Sequence, residues 1–167
     1  DNTPRRDAVC QGAPLSNIVV DANEGWNAET YAELAPDLLR LGVKLVEQPL
    51  PVENYETRLE IERPVPICAD KSCHDRTSLS KLNRKYNIVN IKLDKEGRLN
   101  EAVLLRDEAR RLGYGIMVGC MLGSSLAMAL ATLISQVAMI TDLDGPLLLA
   151  EDRNITLIYD EQGVHPR

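Results

Sequence analysis

Short apolar segments recur along the chain at a nearly constant interval, and each ends in a polar residue or a glycine. Six such segments occupy residues 17–20, 43–47, 66–69, 88–93, 115–119 and 137–141. Their shortness and their content of Val and Ile are typical of buried β-strands. The residues that close them are Asp21, Glu47, Asp70, Lys92, Gly119 and Asp142, at separations of 26, 23, 22, 27 and 23 residues.

Helical patterns fill the intervals between these strands. Residues 27–42 and 97–113 carry apolar side chains near helical spacing and end at a glycine, whereas residues 76–86 predict a shorter helix or a turn-rich crossover. Pro36 lies inside the first pattern, so a kink or a later helix start is expected there. The alternation predicts an α/β fold with parallel strands. The constant interval favours a TIM-like (β/α) barrel over a doubly wound sheet, although such a sheet would share much of the pattern. The chain has six strand–helix units instead of eight, so the predicted barrel is incomplete.

Composition limits the classes of function. The chain has 167 residues, enough for one domain, and its net charge of −6 without a basic stripe argues against nucleic acid as a partner. Residues 113–141 carry no charge, but glycine and serine divide them into strand, helix and strand, so no membrane span is expected. The cysteines are expected to be reduced core residues of a cytoplasmic protein; they are Cys10, Cys68, Cys73 and Cys120.

Three successive strands end in carboxylates and the fourth ends in an amine. The motifs are VVDAN with Asp21, LVEQP with Glu47, CADKS with Asp70 and NIKLD with Lys92. The C-terminal ends of parallel strands share one face, so these side chains are expected to converge there. Converging carboxylates repel one another unless a cation neutralises them, and all-oxygen ligation suits Mg²⁺. A metal and a lysine base together are suited to removing a proton α to a carboxylate.

These motifs resemble those of the enolase superfamily, in its muconate-lactonizing subgroup, and within it the dipeptide epimerases of the L-Ala-D/L-Glu type. The resemblance runs over residues 17–146 through VDANEGW, EQPLP, CADKSCH, NIKLDKEGRLNEA, GCMLGSS and TDLDGP. It implies a (β/α)7β barrel of which residues 1–167 form an incomplete portion, about strands 3–8. The N-terminal capping domain and the first barrel strands are then absent from this chain.

The resemblance also implies roles for the strand-end residues. Asp21, Glu47 and Asp70 match the ligands of one Mg²⁺ ion on the third, fourth and fifth barrel strands. Lys92 matches the acid/base lysine on the sixth strand.

A further pair, Asp142 and Asp144, matches the carboxylates that hold the ammonium group of a dipeptide substrate. Two carboxylates can form charge-assisted hydrogen bonds with an –NH₃⁺ group, so they favour a substrate that has an N-terminal amine. A tight turn at residues 142–145 is the alternative interpretation.

The chain departs from the family pattern in two places. No Lys-x-Lys motif, the source of the opposing base, precedes Asp21, and the usual loop length places that motif immediately upstream of Asp1. Lys71 stands where the family usually has Glu, so a cation there is expected to alter the metal affinity or the pKa of the base. Asn23 is expected to support the rim of the metal site.

The interpretation is therefore a Mg²⁺-dependent epimerase of dipeptides that works by a two-base 1,1-proton transfer at the C-terminal residue. A cytoplasmic location, a place in murein peptide metabolism and a possible homo-oligomer go with it. The alternatives are another reaction on the same scaffold (cycloisomerisation, o-succinylbenzoate synthesis or acid-sugar dehydration), or an inactive barrel fragment or binding module.

Overall fold

The computed structural model describes residues 3–12, 16–53, 62–165 and 167. The chain divides into two compact units. The first comprises Asp1–Ser72 and Arg84–Asn87, and the second comprises Cys73–Asn83 and Ile88–Arg167.

Three parallel strands form the sheet of the first unit. They are β1 (Val19–Asp21), β2 (Leu45–Glu47) and β3 (Ile67–Ala69). In the register of these strands, Asp21 pairs with Glu47, and Glu47 pairs with Cys68. Strands β2 and β3 are buried throughout, as expected for parallel strands covered on both faces.

Among its described residues, the first unit contains the helices α1 (Thr3–Gly12) and α2 (Ala28–Arg40). Helix α2 begins after Asn27, whose side chain accepts a hydrogen bond from the Thr30 N–H at 2.8 Å. The helix continues through Pro36, so the expected later start is wrong. Its buried stripe includes Tyr31, whose hydroxyl donates to the Val65 carbonyl at 2.8 Å and so ties α2 to the segment that leads into β3.

The second unit also contains three parallel strands, β4 (Ile88–Ile91), β5 (Gly115–Val118) and β6 (Ile140–Thr141). Ile91 pairs with Val118, and Val118 pairs with Thr141. Strand β4 is buried along its whole length. An antiparallel hairpin follows, formed by β7 (Ile158–Asp160) and β8 (Gly163–His165).

Four α-helices and one 3₁₀ helix lie among the described residues of the second unit. They are α3 (Ser78–Leu82), α4 (Leu93–Glu96), α5 (Leu99–Arg111), α6 (Ser125–Ser135) and the 3₁₀ helix Gly145–Leu148. Helix α5 buries Ala102, Leu105 and Ala109, the stripe that its periodicity predicts.

All six strands predicted from the sequence are present, each shorter than its apolar segment. The uncharged residues 113–141 divide into β5, α6 and β6, and no helix in the described parts of the chain is long and apolar enough to span a membrane. Cys68 and Cys73 are buried free thiols as expected, Cys120 is partly exposed, and the Cys10 side chain lies outside the described residues.

The buried hydroxyl of Tyr31 yields a test of the first unit. We expect Tyr31→Phe to lower the free energy of unfolding by about 1–2 kcal/mol, because the Val65 carbonyl loses its donor. Burial raises the pKa of Tyr31 to about 12, above the value of about 10 in an unfolded chain. The neutral phenol is therefore favoured in the folded state, and its stabilisation is complete below about pH 10 and lost as the pH rises towards about 12.

Urea unfolding of both proteins at several pH values measures this effect. The difference between wild type and Tyr31→Phe should shrink above about pH 10. A difference that stays constant up to pH values near 12 would contradict the assignment.

Candidate active site

The register of the first sheet brings two strand-end carboxylates onto one face, and a third carboxylate follows the next strand. Asp21 and Glu47 are direct partners across β1 and β2, and Glu47 is the partner of Cys68 on β3. Paired residues of neighbouring strands point to the same face, as do residues two apart along one strand. Asp70 follows β3 directly, since that strand ends at Ala69, and its N–H donates to Gln48 Oε1 at 3.0 Å.

The three carboxylates differ in exposure. Glu47 is 4% exposed and Asp70 is 7% exposed, whereas Asp21 is exposed. Burying an ionised carboxylate is costly unless cations or hydrogen-bond donors compensate it. The burial of two acids at adjacent strand ends therefore marks this face as a place where such compensation is needed.

The loop after β1 is fixed against both Asp21 and the loop after β2. The Asn23 N–H donates to Asp21 Oδ1 at 2.8 Å, so Asn23 supports Asp21 through its backbone. The Glu24 N–H donates to the Gln48 carbonyl at 2.6 Å. Asn23 and Glu24 both have positive φ, 49° and 67°, which is strained backbone for residues with side chains.

Lys71, the residue that departs from the family pattern, is paired with a carboxylate that the sequence analysis missed. Its Nζ lies 3.0 Å from Glu24 Oε2, and Glu24 Oε1 accepts the Val52 N–H at 2.9 Å. The positive charge of Lys71 is thus compensated within the first unit, and the pair ties the segment after β3 to the loops after β1 and β2. Sequence spacing gave no signal for this pair, since its members lie 47 residues apart.

In the second unit, Lys92 follows β4 directly and precedes α4, with extended backbone at φ −120° and ψ 116°. The side chain is half-buried. A Cβ added to Gly119 would lie 3.0 Å from Lys92 Cε and 2.8 Å from Asn90 Nδ2. Glycine at the end of β5 therefore leaves the room through which the Lys92 chain passes.

The other predicted substrate residues lie after β6. Asp142 and Asp144 are both exposed, and the Asp142 N–H donates to the Val118 carbonyl at 2.8 Å. Burial raises the pKa of the Cys120 thiol, and so do the carboxylates of Asp94, Asp142 and Asp144, against a backbone hydrogen bond from Gly145 that lowers it. Three acids thus act on one thiol, which makes this part of the second unit electronegative.

The 3₁₀ helix Gly145–Leu148 holds the segment that carries these acids. Its Leu147 N–H donates to the Asp144 carbonyl at 2.8 Å. A Cβ on Gly145 would lie 2.8 Å from the Met121 carbonyl oxygen, so close approach to the GCML segment requires glycine there. The hydrogen-bonded turn thus spans residues 144–147, whereas the expected alternative was a turn at residues 142–145, and residues 142 and 143 precede it in irregular backbone.

The donor set of the first unit fits a hard cation by its chemistry. All three donors are carboxylates, the ligands that Mg²⁺ and Ca²⁺ prefer. Within the described parts of the chain, however, no three His, Cys, Asp or Glu side chains are grouped closely enough to hold a metal ion. The ligand chemistry therefore agrees with the metal assignment, whereas the described side chains are not grouped into a metal site, and the ligand set stays a prediction.

Comparison with known proteins identifies the family and the relatives of the chain. The family described as Enolase C-terminal domain-like matches residues 4–164. The N-acetyl-D-glutamate racemase of a Pseudoalteromonas species is 44% identical over 166 residues, which cover 99% of this chain and 53% of that protein. The L-Ala-D/L-Glu epimerase of Escherichia coli K12 is 44% identical over 159 residues, 95% of this chain and 49% of that protein. The chain thus spans about half the length of the curated relatives it matches.

Two solved structures of enolase-type proteins are similar to this chain over nearly its whole length. An enolase family member from Agrobacterium tumefaciens, with homology to dipeptide epimerases and with bound sodium and L-Ala-L-Glu, is 48% identical at a TM-score of 0.96, over 100% of this chain and 51% of that one. A dipeptide epimerase from Cytophaga hutchinsonii, in complex with Mg and D-Ala-L-Val, is 25% identical at a TM-score of 0.88, over 98% of this chain and 47% of that one.

These matches confirm the predicted α/β fold as a partial TIM-like barrel. The match to the family covers nearly the whole sequence, and the two curated relatives named above are a racemase and an epimerase. The chain belongs to the enolase C-terminal domain-like family.

Proposed function

We propose that the protein is a Mg²⁺-dependent epimerase of dipeptides of the L-Ala-D/L-Glu type. One observation supports the proposal most directly: Asp21 and Glu47 are partners at the ends of two parallel strands, and Asp70 follows the third strand directly, with Glu47 and Asp70 buried. The identity of 44% to an L-Ala-D/L-Glu epimerase supports the same reaction class. The cytoplasmic location and the link to murein peptides stay predictions.

The residues of the first unit would act on the substrate carboxylate. Asp21, Glu47 and Asp70 would hold Mg²⁺, which when bound neutralises that carboxylate and makes the neighbouring α-proton more acidic. Asn23 would keep the Asp21 carboxylate oriented through its backbone N–H. The Lys71–Glu24 pair would hold the surrounding loops in place, since it joins three of them.

Lys92 would accept the α-proton on one side of the substrate carbon and return it there in the reverse direction. A lysine serves as a base only when neutral, so the reaction needs surroundings that favour the amine form. Inversion also requires a second base on the opposite side. The resemblance to the family assigns that base to a lysine upstream of Asp1.

Asp142 and Asp144 would bind the ammonium group of the dipeptide. The electronegative surroundings of Cys120, to which both residues and Asp94 contribute, favour a cationic group over a neutral one.

A second candidate function follows from the identity of 44% to an N-acetyl-D-glutamate racemase. An N-acetylated amino acid shares the carboxylate and the α-proton with a dipeptide, but it has no ammonium group. Asp142 and Asp144 would then have no substrate ammonium group to bind, so we favour the dipeptide. The other superfamily reactions are disfavoured for the same reason.

Exchange of the substrate α-proton with ²H₂O tests the reaction. The full-length protein with Mg²⁺ should incorporate deuterium into L-Ala-L-Glu at the Glu α-carbon and yield L-Ala-D-Glu. Lys92→Ala should reduce the rate by about 10²- to 10⁴-fold, the usual contribution of a general base.

Lys81→Ala, which removes an exposed lysine of α3, is the matched control and should keep full activity. Absence of exchange with every member of a broad dipeptide panel would refute the epimerase proposal. Full activity of Lys92→Ala would remove that residue from the mechanism.

Asp144→Ala separates the two candidate substrates. Loss of one carboxylate partner should lower kcat/KM for L-Ala-L-Glu by about 10- to 100-fold, since a hydrogen bond between charged groups contributes about 1.5–3 kcal/mol. Turnover of N-acetylglutamate, if present, should not fall, because that substrate lacks the ammonium group. Glu151→Ala, at an exposed acid, is the control. Unchanged dipeptide turnover in Asp144→Ala would favour the racemase candidate instead.

A further inference from the structure

Gln48, the residue after Glu47, is held in an unfavourable backbone conformation. Its φ is +37°, although it is not a glycine, and its side chain is completely buried. A left-handed conformation costs a residue with a Cβ about 1–2 kcal/mol. A buried amide adds a further cost unless its donors and acceptor are satisfied. The surrounding structure must therefore compensate both.

The side-chain carbonyl of Gln48 fixes the chain around Asp70. Its Oε1 accepts the Asp70 N–H at 3.0 Å and the Ser72 N–H at 3.2 Å. Gln48 also donates its own backbone N–H to the Cys68 carbonyl at 2.9 Å. One residue thus makes three bonds to the segment at the end of β3, and the first of them is to Asp70 itself.

The side-chain nitrogen of Gln48 anchors the amide from the other side. Its Nε2 lies 3.0 Å from the Leu50 carbonyl oxygen, 3.0 Å from Ser72 Oγ and 3.1 Å from the Tyr86 hydroxyl. Backbone N–H groups can only donate and a carbonyl can only accept, so these neighbours leave one orientation for the amide. The Gln48 amide is therefore satisfied at both ends: Oε1 accepts the Asp70 and Ser72 N–H groups, and the Nε2 donors face Leu50, Ser72 Oγ and Tyr86.

We propose that Gln48 is a positioning residue that sets the separation and orientation of Glu47 and Asp70. Glu47 is its covalent neighbour, and Asp70 is bound to its Oε1, so displacement of the amide moves one strand end relative to the other. The strained φ is kept because the native bonds of the amide outweigh its cost. The metal-related part of this inference rests on the proposed function, since it takes Glu47 and Asp70 as ligands.

Gln48→Met tests the role, because Met has a similar length and no hydrogen-bonding amide. In the full-length protein we expect Mg²⁺ binding, measured by calorimetry, to weaken by about 10- to 100-fold, the usual effect of losing a group that orients a metal ligand. Independently of metal, the Asp70 and Ser72 amide protons should exchange faster with ²H₂O in NMR spectra, because both lose their acceptor.

Tyr86→Phe is the matched control. It removes one partner of Gln48 Nε2 and leaves both bonds of Oε1 in place. We expect a loss of stability, with Mg²⁺ affinity within threefold of wild type and the Asp70 amide still protected. A purely structural role for Gln48 would instead make the two variants lose Mg²⁺ affinity in proportion to their losses of stability, and that result would overturn the proposal.

Gln48→Glu keeps the test decisive if Gln48→Met does not fold. The substituted side chain retains an acceptor for the Asp70 and Ser72 N–H groups. Mg²⁺ affinity should therefore be retained, and a tenfold loss would overturn the proposal. If the wild-type protein itself binds no Mg²⁺, the proposed function fails, whereas the exchange rate of the Asp70 amide still tests whether Gln48 orders that segment.

Discussion

The hydrogen-bonded register of β1, β2 and β3 determines which side chains leave the first sheet on the same face. Asp21 is opposite Glu47, so these two side chains share a face, and Asp70 follows β3 directly. A slip by one residue in β1 or β2 would turn its acid to the other face, so the candidate site depends strongly on the register. Glu47 and Asp70 are buried, and burying a carboxylate is costly, so their surroundings must hold them in place.

Loops supply that rigidity in the first unit. Glu24 reaches across to Lys71 and Val52, and Gln48 reaches across to Asp70 and Ser72. Glu24 and Gln48 both have a positive φ, which shows that tertiary hydrogen bonds, rather than local backbone preference, determine the conformation of these loops. The second unit uses glycine for a similar end, because Gly119 leaves space for Lys92 and Gly145 allows the loop after β6 to approach the GCML segment.

Sequence periodicity was sufficient to locate the six strands, because buried parallel strands are short apolar runs and polar residues must follow them. It also placed Asp21, Glu47 and Asp70 at strand ends.

Sequence periodicity could not identify Glu24 as the partner of Lys71, since an ion pair between residues 47 positions apart leaves no local pattern. Gln48 was overlooked because its role depends on five side-chain hydrogen bonds to four residues, Leu50, Asp70, Ser72 and Tyr86, which only the folded chain brings together. The hairpin of β7 and β8 has no strand–helix repeat and was likewise not predicted.

The central claim is that the acids closing β1, β2 and β3 form one cation site. Crystals of the full-length protein grown with Mn²⁺ in place of Mg²⁺ would locate the ion directly by its anomalous scattering. The account predicts one strong peak within bonding distance of carboxylate oxygens of Asp21, Glu47 and Asp70. A peak bound elsewhere, or no peak at saturating Mn²⁺, would contradict it.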